Sequence, residues 1–142
     1  MYLDTAIIVK LFVREADSEF YAKKVDNEIV VTSLLAHTEF WSALLTKERE
    51  RLIDVMQRNE AWKRFARDFE EGRIEMAPLT PGIFKRANRI LEDCHPRITL
   101  RSLDALHLAT CEHLQEWPLC TNDKRMRQAA ALLKFPLVDL AT

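Results

Sequence analysis

The sequence predicts an α/β fold, a single domain spanning residues 1–142 with a mostly parallel sheet and helices on both faces. Three observations carry that prediction. Short apolar runs of strand length alternate with longer runs of helical periodicity along the whole chain, the pattern of strands joined by helical crossovers. With 2 glycines and 5 prolines in 142 residues, the chain has too few turn-formers for an all-β fold with many tight turns. A hydrophobic fraction of 48% beside 30% charged residues fits one substantial core and excludes a disordered or fibrous chain.

Taken in order, Met1-Tyr2-Leu3 is a very short apolar strand that, with no leader before it, is expected inside the fold. Ile7, Ile8, Leu11 and Phe12 then form a helical stripe with Lys10 and Arg14 on its flank. A second helix starts near Asp17. Glu28 to Thr32 is a β-branched run and reads as a buried strand, with Thr32 or Ser33 placed to cap the next helix. That helix, Leu34 to about Lys47, is apolar almost all the way round, which predicts burial on every side. Glu39 sits in the middle of it between Ala36 and Ala43, and a lone carboxylate there needs a partner.

Lys47-Glu48-Arg49-Glu50-Arg51 alternates in sign and reads as a solvated helix end. Leu52 to Glu71 predicts a long helix with Val55, Met56, Trp62, Phe65, Ala66 and Phe69 on one broad face, ended by Gly72. Ile74 to Ala77 fits an edge strand, Pro78 to Pro81 a connection into a helix from about Gly82 to Asp93, and Cys94 to Arg97 a loop. Leu100 to Cys111 is a second helix apolar on nearly every side, with Asp104 and His107 as its polar exceptions. Pro118 to Thr121 is a short strand, Asn122-Asp123 sits at its end, Lys124 to Leu133 is a helix, and Leu137-Val138 is a last strand.

Charge and cysteine content narrow the function classes. With 21 basic and 22 acidic residues the formal charge is −1, so any surface for a polyanion is a local patch. The three cysteines, Cys94, Cys111 and Cys120, are odd in number and lack CxxC spacing. That favours reduced thiols in an intracellular protein over a disulfide frame or a zinc site. The apolar stretch Ala6 to Val9 is far too short for a signal-peptide core or a membrane span, and a cytoplasmic protein is expected.

Asp4 and Asp123 each lie just past a predicted strand, at the same end of a parallel sheet, where open α/β sheets bind ligands. Asp104 lies in the first turn of one helix and Glu39 inside another. If the four acids meet, they cannot all stay ionised without a cation or added protons. Mg²⁺ or Mn²⁺, hard ions with oxygen ligands, suit such a set, and such a site suits phosphodiester hydrolysis. Structural readings stand beside this one. Asp4 and Asp123 fit N-caps, and Asp104, two residues after Ser102, fits a helix start where acids favour the macrodipole. His107 reads as a satisfied core histidine, since a metal-bound water needs no further base.

Tyr2 to Phe12 resembles the opening "YLDTSALVKLY" of the PIN-domain ribonucleases, in particular their VapC-type toxins. Ser33 to Phe40 resembles their "SSLxxxEx" segment, Leu100 to Ala109 their "LRxxDALHLA", and Thr121 to Met126 their "TxDxRL". The blocks occur in family order. The resemblance implies a PIN-like fold with strand order 3-2-1-4-5 and an acidic pocket of Asp4, Glu39, Asp104 and Asp123 holding Mg²⁺ or Mn²⁺. Asp4 and Asp104 would be the main ligands, with Thr121 and Thr5 orienting a carboxylate or a phosphate. It also implies an RNA substrate, a homodimer and a small VapB-like antitoxin. Lys10, Arg14, Lys124, Arg125 and Arg127 become candidates for RNA backbone contacts, and the Trp62, Phe65 and Phe69 stripe a candidate for core, dimer interface or antitoxin groove.

Two departures stand out: Ala6 replaces a usual Ser, and Lys134-Phe135-Pro136 lacks a usual Gly. Competing readings are a catalytically weak RNA- or partner-binding module of the same fold, a housekeeping RNA-processing nuclease, and a phosphatase or phospho-acceptor regulator. The last wants a further acid beside Asp4, where this chain has Thr5-Ala6.

Overall fold

The computed structural model describes all of residues 1–142. Four strands, β1 (Tyr2–Leu3), β2 (Val30–Ser33), β3 (Ile74–Ala77) and β4 (Leu119–Cys120), form one sheet in the order β3-β2-β1-β4, every pair parallel. The helices are α1 (Thr5–Phe12), α2 (Ser18–Lys24), α3 (Leu35–Arg49), α4 (Val55–Glu70), α5 (Pro81–Cys94), α6 (Ser102–Leu114) and α7 (Lys124–Leu132).

Strand alternation divides the core in two. Tyr2, Val31 and Leu119 point to a cluster built with Ile83, Ala87 and Ile90 of α5, Ala105, Leu108 and Ala109 of α6, and Met126 and Ala129 of α7. Leu3, Val30, Ile74 and Cys120 point to the opposite cluster, built from α1 to α4. This is the period-two alternation of a sheet covered on both faces. On the second face Phe40 stacks on Phe65 with centroids 4.3 Å apart, and Phe12 meets both rings edge-on. Truncating Phe65 would cost about 3–5 kcal/mol.

Several expectations need correction. The strand order matches 3-2-1-4, but the fifth strand shrinks to a single parallel bridge between Leu119 and Leu137, held by Leu119 N to Pro136 O and Val138 N to Leu119 O, both 2.9 Å. Helix α3 is not buried all round: it buries Ala36, Phe40 and Leu44, one i, i+4, i+8 stripe, and Leu34 before it is exposed. The broad apolar face expected of α4 is likewise narrower. Ala61 and Phe65 are buried, whereas Val55, Phe69 and, at 78% exposure, Met56 face outward. The two helices pack on each other through these narrow stripes, and the rest of each apolar surface stays open.

Local chemistry sets the ends. Asp54 and Gln57 make a capping box at α4, Thr80 caps α5 with Pro81 in its first turn, and Gly72 turns at φ +76° after α4. Ser33 Oγ accepts from Leu35 N at 3.2 Å ahead of α3. Helix α6 has no side-chain cap, and Ser102 is its first residue rather than its cap. The three cysteines are free and buried. No helix is long and apolar enough to cross a membrane.

Candidate active site

Leu3 of β1 pairs with Cys120 of the neighbouring strand β4, so the residues just beyond them, Asp4 and Thr121, emerge side by side at the carboxyl rim of the sheet. Asp4 caps α1. Its Oδ1 accepts from Ile7 N at 3.0 Å, and its Oδ2 accepts from the Thr121 hydroxyl in a very short hydrogen bond. The Thr121 oxygen in turn accepts from Asp123 N at 3.1 Å, and Asp123 Oδ1 accepts from Met126 N at 2.9 Å to cap α7. Capping and site-building are thus the same act for these two acids: the hydrogen bonds that start α1 and α7 also fix Asp4 and Asp123 at the rim.

The other two acids come from helices. Glu39, on α3, accepts at Oε1 from the Thr5 hydroxyl at 2.8 Å and from His107 Nε2 at 2.6 Å. The far side of the same ring, Nδ1, lies 2.8 Å from the Tyr2 hydroxyl. Asp104, in the first turn of α6, accepts from Arg101 Nε at 3.2 Å, and Arg101 Nη2 lies 3.8 Å from Asp123 Oδ2. Thr121 therefore joins Asp4 to Asp123, Arg101 joins Asp123 to Asp104, and Thr5 with His107 ties Glu39 to the same rim.

Burial and charge act differently on each acid. Asp4 is only 4% exposed, and burial pushes its carboxyl above the usual carboxylate range despite the hydrogen bonds from Thr121 and Ile7. Asp104 is pushed up by burial too, against the pull of Arg101. Burial acts upward on Glu39 as well, but the hydrogen bonds from His107 and Thr5 oppose it, with Arg101 nearby, and the carboxyl lies below its ordinary value.

The donor set fits a hard divalent cation. It consists of carboxylate and hydroxyl oxygens, and Asp4, driven toward its neutral form by burial, would be relieved by a positive charge. A guanidinium, that of Arg101, already lies against two of the acids. No three His, Cys, Asp or Glu side chains converge closely enough to ligate one ion together, so an ion here would rest on one or two carboxylates and keep several waters.

The basic candidates separate. Lys124 and Arg125 open α7 right after Asp123 and are exposed. Lys10 does not stand free: its side chain, 9% exposed, is bound to Asp17 at 2.8 Å and Glu15 at 3.4 Å. Arg127 Nη1 is bound to the carbonyls of Thr121 at 2.8 Å and Val138 at 3.0 Å, which clamps the last chain segment to the rim. Arg14 is exposed but lies past the far end of α1, about 15 Å from Asp4 at 1.5 Å per residue. Ala6 is exposed in the first turn of α1 and offers no polar atom.

Sequence reasoning left Arg101 without a role, although its i, i+3 spacing from Asp104 is a usable signal for an ion pair. It placed His107 in the core, where the residue is indeed only 2% exposed, but did not connect it to Glu39 or Tyr2. No spacing rule links residues 68 and 105 positions apart.

Known proteins share both the sequence pattern and the fold. The family described as PIN domain matches residues 1–132. Ribonuclease VapC46 of Mycobacterium tuberculosis (strain ATCC 25618 / H37Rv) is 34% identical over 143 residues, covering 97% of this chain and 95% of that protein. Ribonuclease VapC35 of Mycobacterium tuberculosis (strain CDC 1551 / Oshkosh) is 27% identical over 153 residues, again covering 97% and 95%. A toxin-antitoxin complex from Klebsiella pneumoniae contains a chain that superposes with a TM-score of 0.63 at 15% identity, covering 97% of this chain and 95% of that one, a likeness of fold.

Proposed function

The chain belongs to the PIN-domain family, and from that premise we propose that it is a divalent-metal-dependent endoribonuclease acting as the toxin of a VapBC-type toxin–antitoxin pair. The observation that carries the proposal is the line of contacts that links Asp4 to Asp123 through Thr121 and Asp123 to Asp104 through Arg101 at the carboxyl rim of the sheet, with Glu39 tied to that rim by Thr5 and His107. The VapC ribonucleases of similar sequence support the nuclease reading. The toxin-antitoxin complex of like fold fits the pairing.

Asp4 and Asp104 would hold the ion, with Glu39 and Asp123 holding its waters or a second ion. When bound, Mg²⁺ or Mn²⁺ supplies Lewis-acid polarisation of a phosphoryl oxygen and a water acidic enough to attack it. The protein's own part is orientation. Thr121 and the Ile7 amide lock both oxygens of Asp4, and the Asp123 cap fixes the start of α7 so that Lys124 and Arg125 stand beside the rim to meet RNA phosphates. Arg101, 67% exposed on its side chain, is a further cation within reach of an incoming strand.

An antitoxin partner also fits the surface away from the acids. Leu52, Val55 and Met56 are exposed, and a groove of about 580 Å³ lined by Phe12, Val13, Leu52, Ile53 and Met56 runs between the end of α1 and α4. Arg14, Gln57, Glu60 and Arg64 also line it, and exposed apolar side chains rimmed by polar ones are characteristic of a protein interaction site. A homodimer and a cytoplasmic location belong to the same reading.

The test is RNA cleavage by the purified chain with Mg²⁺ or Mn²⁺, repeated in excess EDTA and with Asp104→Asn. Cleavage that needs the ion and falls sharply in the variant is expected. Undiminished cleavage in EDTA would refute the metal mechanism. No cleavage with either ion, together with unchanged cellular toxicity of Asp4→Asn, would leave a binding module instead.

A further inference from the structure

We propose that Tyr2 and His107 are positioning residues that hold the Glu39 carboxylate in one orientation, through a buried line running from the Tyr2 hydroxyl to His107 Nδ1 and from His107 Nε2–H to Glu39 Oε1. The inference rests on the nuclease reading for its consequence, but its geometry is independent of it.

The direction of each hydrogen bond comes from counting protons. Two bare acceptors do not sit 2.6 Å apart, so a proton lies between His107 Nε2 and Glu39 Oε1. Glu39 Oε1 already accepts from the Thr5 hydroxyl at 2.8 Å, so it is the acceptor toward His107 as well and that proton rests on the ring. At the other nitrogen, with the ring proton on Nε2, Nδ1 is an acceptor, and the Tyr2 O–H donates to it across the 2.8 Å contact. The ring is then the neutral Nε2–H tautomer, with both nitrogens used.

The line crosses the rim where two layers meet. Helix α6 covers one face of the sheet and α3 the other, and β1, which carries Tyr2, lies between them. Glu39 Oε1 takes both His107 and Thr5, while Oε2 accepts no hydrogen bond from the chain. A half-buried glutamate between two alanines would otherwise sample several rotamers. Pinned at Oε1, it presents Oε2 alone to whatever the rim binds. Partners standing behind a ligating carboxylate in this way typically contribute 10–100-fold to metal affinity.

The experiment has two arms besides activity. In ¹⁵N-histidine-labelled wild-type protein, long-range ¹H–¹⁵N spectra should show His107 as the Nε2–H tautomer, and the Nδ1–H tautomer would overturn the proposal. Mn²⁺ affinity measured by calorimetry should weaken about 10–100-fold in His107→Leu. His107→Gln, whose amide can still donate toward Glu39, should recover most of the loss. Wild-type affinity in folded His107→Leu would overturn the proposal, as would a His107→Gln variant as weak as His107→Leu. Should His107→Leu fail to fold, Tyr2→Phe removes one hydroxyl and keeps the packing. It should weaken Mn²⁺ binding severalfold, and unchanged affinity would overturn the proposal. Wild-type protein that binds Mn²⁺ but cuts no RNA would instead count against the nuclease reading, leaving the positioning result to stand on affinity and tautomer alone.

Discussion

Replacing Asp4 by Asn should abolish cleavage and at the same time raise the melting temperature of the metal-free protein. Taking a carboxylate out of water costs several kcal/mol, and hydrogen bonds to a charged group contribute about 1.5–3 kcal/mol each. Asp4 receives two, from the Ile7 amide and the Thr121 hydroxyl, yet burial still pushes its carboxyl above the ordinary range. The penalty therefore exceeds the compensation. Asn keeps an oxygen for the Ile7 amide and removes the buried charge, for a net gain of about 1 kcal/mol, or about 3 °C in a domain of this size.

The pH dependence has a definite sign. Because the folded-state pKa of Asp4 lies above the unfolded value of about 3.9, the folded protein binds more protons between the two. Wild type loses this contribution as pH rises through that window and stays at the lower level above it. The gap between Asp4→Asn and wild type should accordingly be near zero below the unfolded value, open as pH climbs, and be complete above the folded value. Millimolar Mg²⁺ should close it again by stabilising only wild type. The assay is thermal denaturation by circular dichroism across pH, with and without Mg²⁺. A metal-free Asp4→Asn protein less stable than wild type at neutral pH would refute the argument that burial dominates at this carboxyl.

Particular contacts away from Asp4 lead to three more expected outcomes. Lys134 turns at φ +62° while its amide donates to Ala131 O and that of Phe135 to Ala130 O, so Lys134→Gly should gain about 0.5–1 kcal/mol, read as a rise in melting temperature. Lys10→Ala should destabilise by about 0.5–1 kcal/mol by removing the cation paired with Asp17 and one of the two paired with Glu15, with RNA affinity of the folded fraction unchanged; weaker RNA binding at unaltered stability would restore Lys10 as an RNA contact. The double change Lys124→Ala and Arg125→Ala should weaken single-stranded RNA binding for every sequence alike and flatten the plot of log affinity against log salt by about 1.4, at about 0.7 per phosphate contact.

The elements legible in the sequence were those whose periodicity is settled locally. The β-branched run before Thr32, the Ile74 to Ala77 edge strand and the stripe of α1 depend on neighbours within a few residues, and each forms, although the first strand begins two residues late, at Val30, and leaves Ile29 exposed. The apolar count on α3 and α4 misled because composition cannot tell a helix enclosed on every side from one covered along a single stripe, and Leu34, Val55, Met56 and Phe69 are left exposed. Leu137-Val138 has a strand's composition but pairs through a single bridge, held by two backbone hydrogen bonds to Leu119 and by Arg127 on the Val138 carbonyl.

At the rim, Asp4 and Asp123 could be placed because a parallel sheet aligns its strand ends. The partner demanded by Glu39 could be anticipated as a need but not identified, because His107 and Thr5 reach it only through the packing of α1, α3 and α6. Lys10 looked available for RNA because its acceptors lie past the end of its own helix, in a turn that periodicity does not describe.

The most direct measurement is the anomalous difference map of a crystal grown or soaked with Mn²⁺. The account predicts a peak at the carboxyl rim of the sheet, about 2 Å from an oxygen of Asp4 or Asp104, lost in the Asp4→Asn crystal. A peak only elsewhere on the molecule, or one at the rim that survives Asp4→Asn with full cleavage activity, would contradict it.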